Sequence, residues 1–185
     1  LLLYDYIDHV GVHAGAHLPR FEAWDEKLLS ASDAVACVSE TLRRGLLART
    51  GSRAVHLIPN GVDSKWIDSA IPSVPREMLA ASPGVPIVGF VGAVVLDWVD
   101  LGLLARTARA LPEARFAVVG PAPLDGSLKE LLDVGNVRFL GPKPHPEVPA
   151  WIKAMDVCLI PFKRNELARA ADPIKLYEYC ALGKP

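Results

Sequence analysis

Short apolar runs that alternate with helical segments are the feature that most constrains the fold of this chain. In the C-terminal half, apolar runs at 87–92, 116–120, 137–140 and 157–161 alternate with helical patterns at 101–110, 128–132 and 148–155. Apolar runs of this length are typical of strands buried on both faces, and intervening helices provide crossover connections between parallel strands. The pattern therefore predicts an α/β fold with a doubly wound parallel sheet.

The N-terminal third repeats this alternation. Apolar runs at 1–7, 34–38 and 55–58 are separated by helical patterns at 21–30 and 40–49, the second preceded by Ser39 as an N-cap. A proline-rich stretch then separates the two series, so we expect two Rossmann-like units at 1–63 and 87–185, joined by a linker at 64–86. The chain begins inside an apolar run and ends directly after a helix, so both units are expected to be incomplete.

Composition excludes several classes of protein. The net charge is −1 at pH 7 and hydrophobic residues make up 51% of the chain, which is sufficient for a packed core. Because the basic residues are dispersed, nucleic acid is not expected as a partner. No apolar run is long enough to cross a bilayer, so a cytoplasmic protein is expected, with amphipathic helices compatible with peripheral contact at the inner membrane face.

The three cysteines are isolated from one another. Cys37, Cys158 and Cys180 each lie in an apolar run, and no pair has the spacing of a zinc or redox motif. They are therefore predicted to be buried thiols of a reducing compartment.

Residues 173–182 have the start and stop signals of a short helix. Asp172 precedes it as an N-cap, Pro173 takes the first helical position, and Gly183 follows its end. Helical spacing predicts one packed face and one face with two opposite charges. The predicted packed face comprises Ile174, Tyr177, Cys180 and Ala181, and the charged face comprises Lys175, Glu178 and Leu182.

The charges on this helix are not those that helix stability favours. Lys175 lies in the first turn, where the helix dipole disfavours a cation, and a lysine before Glu178 is the weaker order for an ion pair. A helix N-terminus with a lysine beside it suits a diphosphate, and a carboxylate one turn further suits a ribose diol. The alternative is a solvated pair of charges without a ligand.

Glycines follow several of the predicted strands. Gly92, Gly120 and Gly141 come directly after or at the end of apolar runs. Because ligands of open parallel sheets bind beyond the carboxyl ends of the strands, these glycines and the 162–172 loop are expected to lie together. A glycine such as Gly92 also lets a phosphate approach the backbone.

Polar residues follow the first apolar run. Asp8 and His9 lie where α/β sheets place catalytic side chains, and the alternative is an ordinary polar exit from a strand. His13 and His17 have helical spacing but no third ligand nearby, so no metal site is predicted.

Seven short motifs, taken in their order, resemble those of the family 4 type, or group 1, glycosyltransferases of the GT-B fold. They are PNGVD at 59–63, VGFVGA at 88–93, FAVVGP at 116–121, VRFLG at 137–141, DVCLIPF at 156–162, PIKLYEY at 173–179 and GKP at 183–185. The resemblance implies that residues 1–63 form the end of an acceptor-side domain and that 87–185 form most of a donor-side domain.

The resemblance also implies roles for individual residues. The glutamate that matches Glu178 would hold the donor's ribose, and the helix N-terminus at Pro173 and Ile174 would face the diphosphate. Many members carry an earlier glutamate near Asn165 or Glu166, and either position is a candidate for the donor site here.

One departure from the family concerns the phosphate charge. Many members have an arginine or lysine in the loop that matches 92–100, and this chain has none there. The cation would have to come from Lys175, Arg164 or Arg169.

The predicted function is transfer of a sugar from a nucleotide diphosphate sugar to a glycan or lipid-linked acceptor. The donor is a substrate, and neither a cofactor nor a metal is expected. Asp8 or His9 is the candidate general base for an inverting reaction, whereas a retaining reaction needs no such base. Two alternatives are a nucleotide-sugar epimerase of the same fold and a non-catalytic domain that binds a nucleotide sugar or a protein partner.

Overall fold

The chain folds into two compact α/β units. In a computed structural model, residues 1–9, 17–51, 54–68, 72–74, 83–123 and 125–185 are described. The first unit comprises Leu1–Asn60 with Arg164–Pro173, and the second comprises Gly61–Lys163 with Ile174–Pro185. This division differs from the predicted units at 1–63 and 87–185 in two places. Residues 164–173 group with the first unit, and residues 61–63 group with the second.

The first unit contains a three-stranded parallel sheet in the order β1-β2-β3. Its strands are β1 (Leu3–Tyr6), β2 (Ala34–Cys37) and β3 (Ala54–Leu57), and its helices are α1 (Leu18–Ala31), α2 (Glu40–Thr50) and α7 (Glu166–Ala170). Tyr4 pairs with Val35, and Val35 pairs with Val55, so alternate residues of the three strands point to one face. The predicted parallel α/β arrangement is confirmed.

One face of this sheet carries the core of the first unit. Side chains from the strands pack against side chains from all three helices, and α7 contributes Ala170. The buried members are Tyr6, Leu29, Val35, Cys37, Val38, Leu42, Leu46, Val55 and Ala170. Burial of each large apolar side chain contributes about 1.5–3 kcal/mol, so this face holds the sheet and helices together.

Ser39 joins α2 to α7 within the first unit. Its hydroxyl accepts a hydrogen bond from the Leu42 backbone N–H (3.2 Å), which confirms the predicted N-cap. The same hydroxyl donates to the Ala170 carbonyl oxygen at 2.6 Å. One side chain therefore satisfies an unpaired donor at the start of α2 and a carbonyl at the end of α7.

The second unit contains a four-stranded parallel sheet in the order β6-β5-β4-β7. Its strands are β4 (Ile87–Val91), β5 (Arg115–Val119), β6 (Val137–Gly141) and β7 (Val157–Cys158). Its helices are α3 (Ser64–Asp68), α4 (Leu101–Ala110), α5 (Lys129–Leu132), α6 (Val148–Ala154) and α8 (Ile174–Ala181), and a 3-10 turn covers His145–Glu147. The strand order reverses between β4 and β7, which defines a topological switch point.

Both faces of the second sheet are covered. Ile87 and Val91 belong to a core formed with α3, α6 and α8, whereas Phe90 belongs to a core formed with α4 and α5. Gly89 is required by this packing, because a Cβ there would lie 1.9 Å from the Met155 Sδ atom. The doubly wound arrangement predicted for this part of the chain is therefore confirmed.

Three elements differ from the sequence-based prediction. Helix α3 lies in the predicted linker, and Trp66 on it is 9% exposed in the core of the second unit. Helix α7 lies in the predicted 162–172 loop, and β7 is shorter than the predicted 157–161 strand. The short helices were missed because five residues give too little periodicity to recognise. Residues 69–71 and 75–82 of the predicted linker lie outside the described residues.

The prediction that all three cysteines are buried is wrong. Cys37 is buried, Cys158 is half-buried and Cys180 is exposed. Cys180 lies on α8, whose packed face differs from the predicted one, as described below.

Substitution Ser39→Ala should destabilise the first unit by about 2 kcal/mol. The change removes the N-cap of α2 and leaves the Ala170 carbonyl without its partner. Urea unfolding followed by circular dichroism measures the effect. Ser30→Ala, on the exposed surface of α1, is the control and should change stability by less than about 0.5 kcal/mol. Equal effects of the two substitutions would contradict the role of Ser39.

At pH 8, iodoacetamide should modify Cys180 well before the other two cysteines. Burial raises the pKa of Cys158 to about 11 and raises that of Cys37, and the thiolate is the reactive form. Peptide mass spectrometry of the native protein measures the order of modification. Cys180→Ser should abolish the fast reaction, and rapid modification of Cys158 at pH 8 would contradict this description.

Candidate functional site

The carboxyl ends of β4, β5 and β6 meet at three glycines. The Gly92 backbone N–H donates to the Val119 carbonyl (2.9 Å), and the Gly120 N–H donates to the Gly141 carbonyl (3.0 Å). Gly120 has a φ of 142°, and a Cβ there would lie 2.1 Å from the Gly92 carbonyl oxygen. Only glycine permits this approach, and the predicted clustering of these three residues is confirmed.

Helix α8 is fixed to the end of β4 at this edge. The Tyr179 hydroxyl accepts a hydrogen bond from the Val91 backbone N–H at 2.9 Å, and Tyr179 is 3% exposed. Burial raises the pKa of the Tyr179 hydroxyl above its ordinary value, so the neutral form is favoured. The bond places α8 beside Gly92, the residue that follows Val91 at the switch point of the sheet.

The packed face of α8 is not the predicted one. Glu178 and Tyr179 are the buried residues of the helix, whereas Ile174 is 44% exposed and Cys180 is exposed. Tyr179 decides the orientation, because its long side chain reaches the sheet and turns the neighbouring Glu178 inward. The alternative of a solvated pair of charges is also wrong, since Glu178 is only 3% exposed.

Lys175 and Glu178 form an ion pair on this inward face. The Lys175 Nζ atom lies 2.8 Å from Glu178 Oε2, and the lysine side chain is 24% exposed. A carboxylate can accept more than one hydrogen bond, and Lys175 accounts for one of them at Oε2. A ligand that donates hydrogen bonds therefore suits the remaining accepting capacity of this buried carboxylate.

Lys175 lies next to Gly92. A Cβ at Gly92 would be 3.5 Å from the Lys175 Cε atom, an ordinary contact distance, so the lysine side chain lies beside this glycine. The loop at 93–100 carries no cation of its own. Lys175 is therefore the cation that α8 brings to the carboxyl edge of the second sheet, and a diphosphate bound there would have this charge beside it.

The loop at 93–100 is held by contacts of its own. The Asp100 carboxylate accepts from the Leu103 N–H (2.7 Å) and caps α4. The Asp100 N–H donates to the Pro161 carbonyl, and the Trp98 ring packs edge-on against Phe162. These contacts join the loop to the chain that leaves β7, on the other side of the switch point.

Asp8 and His9 lie in the first unit, directly after β1. Asp8 is half-buried and His9 is exposed. His9 lines a pocket of about 340 Å³ formed with α2 and α7, and both residues line a second pocket of about 230 Å³. His13 lies outside the described residues, and His17 precedes α1 without capping it through its side chain.

The remaining predicted residues flank α7 and α8. The Asn165 Oδ1 atom accepts from the Ala168 N–H at 2.9 Å and caps α7. The Asp172 carboxylate accepts a hydrogen bond from the Asn60 backbone N–H at 2.7 Å. This bond joins the segment that follows α7 to the PNGVD motif at 59–63. Pro173 is half-buried and immediately precedes α8, whose first residue is Ile174.

Sequence reasoning missed a buried polar network in the first unit. Asp25 is 2% exposed, accepts a hydrogen bond from the Tyr4 hydroxyl (2.8 Å) and pairs with the Arg49 guanidinium (2.6 Å). Arg49 also pairs with Glu26. Burial and the hydrogen bond to Asp25 raise the pKa of Tyr4. The sequence signal that could have revealed this network is the aspartate at a core position of α1, because a buried carboxylate requires a partner.

The described part of the chain contains no cluster of three or more His, Cys, Asp or Glu side chains placed to hold a metal ion. Within the same residues, no helix combines the length and the apolar character that crossing a bilayer requires.

Both the N-terminal and the C-terminal parts of the chain match known glycosyltransferase families. The family described as "Glycosyl transferases group 1" matches residues 85–185, and "Glycosyltransferase Family 4" matches residues 4–66. The chain belongs to the group 1 glycosyltransferases. The resemblance seen in the sequence motifs is thereby confirmed. The match to residues 85–185 includes Gly92, Gly120, Gly141 and helix α8.

Curated relatives of this group 1 chain act in more than one pathway. The chain is 29% identical over 163 residues to Bacillus subtilis (strain 168) TuaH, proposed as a teichuronic acid biosynthesis glycosyltransferase, and covers 41% of it with 86% of its own length. It is 27% identical over 176 residues to the 2-deoxystreptamine N-acetyl-D-glucosaminyltransferase of Streptomyces fradiae, with 83% and 41% covered. The chain thus spans about two fifths of the length of these relatives.

Solved structures support the GT-B fold. The chain matches sucrose-phosphate synthase from Thermosynechococcus elongatus with a TM-score of 0.75 and 20% identity, covering 99% of this chain and 48% of that one. It matches Anabaena HepE in complex with UDP with a TM-score of 0.67 and 18% identity, covering 100% and 52%. At these identities the likeness shows the fold, and the predicted GT-B class is confirmed.

Substitution Tyr179→Phe should destabilise the second unit by about 1–3 kcal/mol, because it leaves the buried Val91 N–H without an acceptor. Hydrogen exchange at the Val91 amide should accelerate, and urea unfolding gives the change in free energy. Cys180→Ser, on the exposed side of the same helix, is the control. Unchanged exchange at Val91 in Tyr179→Phe would contradict the anchoring role of the hydroxyl.

Proposed function

We propose that this chain is the donor-binding part, with a portion of the acceptor side, of a glycosyltransferase that uses a nucleoside diphosphate sugar. The observation that carries the proposal is the buried Glu178 carboxylate, held in an ion pair with Lys175 beside Gly92. A ribose diol supplies two hydroxyl donors for such a carboxylate, and the diphosphate supplies negative charge for the lysine.

The proposed donor contacts divide between side chains and backbone. Glu178 binds the ribose, and Lys175 contacts the diphosphate. The backbone N–H groups at the start of α8, at Ile174, add positive potential after Pro173, and Gly92 lets the phosphates approach the end of β4. Asn165 is a further candidate for a donor contact, through the α7 segment that it caps. The absence of a cation at 93–100 makes Lys175 the main source of phosphate charge.

The reaction breaks the bond between the anomeric carbon and the diphosphate oxygen and forms a bond from that carbon to an acceptor hydroxyl oxygen. Negative charge develops on the departing diphosphate, where Lys175 and the backbone N–H groups stabilise it without a metal. In an inverting reaction the acceptor proton passes to Asp8 or His9, whereas in a retaining reaction the diphosphate oxygen can receive it.

The names of similar proteins support specific substrates. Anabaena HepE is described in complex with UDP-glucose, which favours a uridine donor for this chain. TuaH is assigned to teichuronic acid, a surface polymer, and two other relatives carry 2-deoxystreptamine in their names. These names support a glycan or another ring with several hydroxyl groups as the acceptor, and a lipid-linked acceptor remains part of the proposal. A cytoplasmic location, with contact to the inner membrane face, fits such substrates.

Calorimetric titration with UDP, GDP and CDP tests the donor site. One nucleotide should bind, and Glu178→Ala and Lys175→Ala should each weaken that binding about tenfold or more, since each removes a charged hydrogen-bonding partner. Chelation of metal ions by EDTA should leave the affinity unchanged.

Lys129→Ala is the matched control, because Lys129, the first residue of α5, forms an exposed lysine–carboxylate pair with Asp133. Its nucleotide affinity should equal that of the unsubstituted chain. Circular dichroism confirms that each variant is folded. Equal binding by Glu178→Ala, or no binding of any nucleotide by the folded chain, would overturn the donor-site proposal. A changed sugar released without transfer would instead indicate an epimerase.

A further inference from the structure

The 59–63 motif contributes nothing to the proposed donor contacts, yet one of its residues is bound to the segment that leads into α8. The Asn60 backbone N–H donates to the Asp172 Oδ2 atom at 2.7 Å, and the Asn60 side-chain amide donates to the Asp172 carbonyl oxygen at 2.6 Å. The two residues are 112 positions apart in the sequence. We call this pair of hydrogen bonds the Asn60 clasp.

The clasp lies within the first unit, at residues from which the chain continues into the second. Asn60 and Asp172 both belong to the first unit, whereas Gly61 and Ile174 begin segments of the second unit. Only Pro173 separates Asp172 from Ile174, the first residue of α8. The clasp therefore holds the residue from which the chain continues into the helix of the candidate donor site.

A further hydrogen bond holds the same segment. The Ser39 hydroxyl donates to the Ala170 carbonyl oxygen at 2.6 Å, two residues before Asp172. Ser39 follows β2 and Asn60 follows β3, so the segment is bound to residues that lie just after two neighbouring parallel strands. Two points of attachment so close in sequence leave the segment little conformational freedom.

Pro173 transmits this constraint to α8. The proline ring fixes φ at about −65°, and steric contact with the ring restricts the backbone of the preceding residue, Asp172. Two consecutive restricted residues form a stiff connection, because few torsion angles remain that could change its direction. A fixed Asp172 thus fixes the direction of the backbone N–H groups at the start of α8.

The first turn of α8 is largely exposed. Ile174 is 44% exposed and Leu176 is 49% exposed, whereas the buried residues Glu178 and Tyr179 follow in the second turn. A helix of eight residues is too short to be stable through its own backbone hydrogen bonds. Attachment of the preceding segment therefore keeps the first turn ordered, and the proposed diphosphate contacts lie in this turn.

We infer that Asn60 is a positioning residue of the donor site, which acts through Asp172 and Pro173 to hold the first turn of α8 in the conformation that receives the diphosphate. This inference rests on the proposed function and deepens it, since Asn60 needs no contact with the nucleotide. N–H groups that are already ordered bind an anion with a smaller loss of conformational entropy. Loss of the clasp should therefore weaken the phosphate contacts more than the ribose contact.

The charge of Asp172 allows positioning to be distinguished from direct electrostatics. A carboxylate just before a helix repels a diphosphate that binds at the helix start. If Asp172 affected the nucleotide through its charge alone, Asp172→Ala would tighten binding. Because it acts through the clasp, Asp172→Ala should weaken binding, whereas Asp172→Asn keeps an acceptor oxygen and should preserve it.

Calorimetric titration with UDP and UMP measures these effects, and GDP with GMP and CDP with CMP are titrated in the same way. Asn60→Ala and Asp172→Ala should each weaken binding of the diphosphate about threefold or more, since each removes one hydrogen bond of the clasp. Both should also lower the ratio of diphosphate to monophosphate affinity. Asp172→Asn should remain within about twofold of the unsubstituted chain.

Asp125→Ala is the matched control. The Asp125 carboxylate accepts a hydrogen bond from the Ser127 backbone N–H at 3.0 Å on an exposed part of the second unit. The control therefore removes the same charge and the same kind of hydrogen bond as Asp172→Ala, and it should leave all nucleotide affinities unchanged. Circular dichroism confirms that each variant is folded.

Nuclear magnetic resonance relaxation of the ¹⁵N-labelled chain without nucleotide gives an independent measurement. In Asn60→Ala the order parameters of the Ile174 and Lys175 amides should fall from about 0.85, typical of a rigid backbone, towards about 0.6. The Tyr179 amide should keep its order, because the Tyr179 hydroxyl is bound to the Val91 N–H.

The outcomes separate this inference from the donor proposal. Tighter diphosphate binding by Asp172→Ala, or equal weakening by Asp172→Ala and Asp172→Asn, would assign the effect to charge and overturn the inference. Unchanged diphosphate affinity in Asn60→Ala would overturn it whether or not the order parameters fall, and would leave the donor site standing. No binding of any nucleotide by the folded, unsubstituted chain would overturn the donor proposal and this inference with it.

Discussion

The hydrogen bond from the Val91 N–H to the Tyr179 hydroxyl is the interaction on which the candidate donor site depends. It holds α8 against the end of β4, and both partners are buried. In this orientation Glu178 is removed from water and Lys175 lies beside Gly92. A single neutral hydrogen bond contributes only about 1 kcal/mol, but here it selects which face of a short helix is packed.

The first unit uses polar contacts for a similar purpose. Ser39 joins α2 to α7, and the carboxylate of Asp25 joins Tyr4 on β1 to Arg49 on α2. These contacts hold α2 to α7 and to β1, and they pair the charge of Arg49, which lines the pocket of about 340 Å³. A buried ion pair contributes little net stability, so its value here is in fixing geometry and local charge.

The match to the group 1 glycosyltransferases and the charged side chains of the candidate donor site both lie in the second unit. The family match covers 85–185, which includes the three glycines, Lys175 and Glu178. The names of the relatives refer to different compounds, teichuronic acid and 2-deoxystreptamine, so membership of the family does not specify the substrates. The burial of Glu178 and its ion pair with Lys175 are what give the donor proposal its chemical content.

The sequence alone determined the parallel α/β class, most strand and helix positions, and the N-cap of α2 at Ser39. The caps of α4 at Asp100 and of α7 at Asn165 were not foreseen. Tertiary structure decided the packed face of α8, the burial of Glu178 and the existence of the 340 Å³ pocket beside α2 and α7. Periodicity and capping act within a few residues and can be read locally. The orientation of an eight-residue helix, and a pocket formed from segments more than 100 residues apart, depend on contacts that only the folded chain supplies.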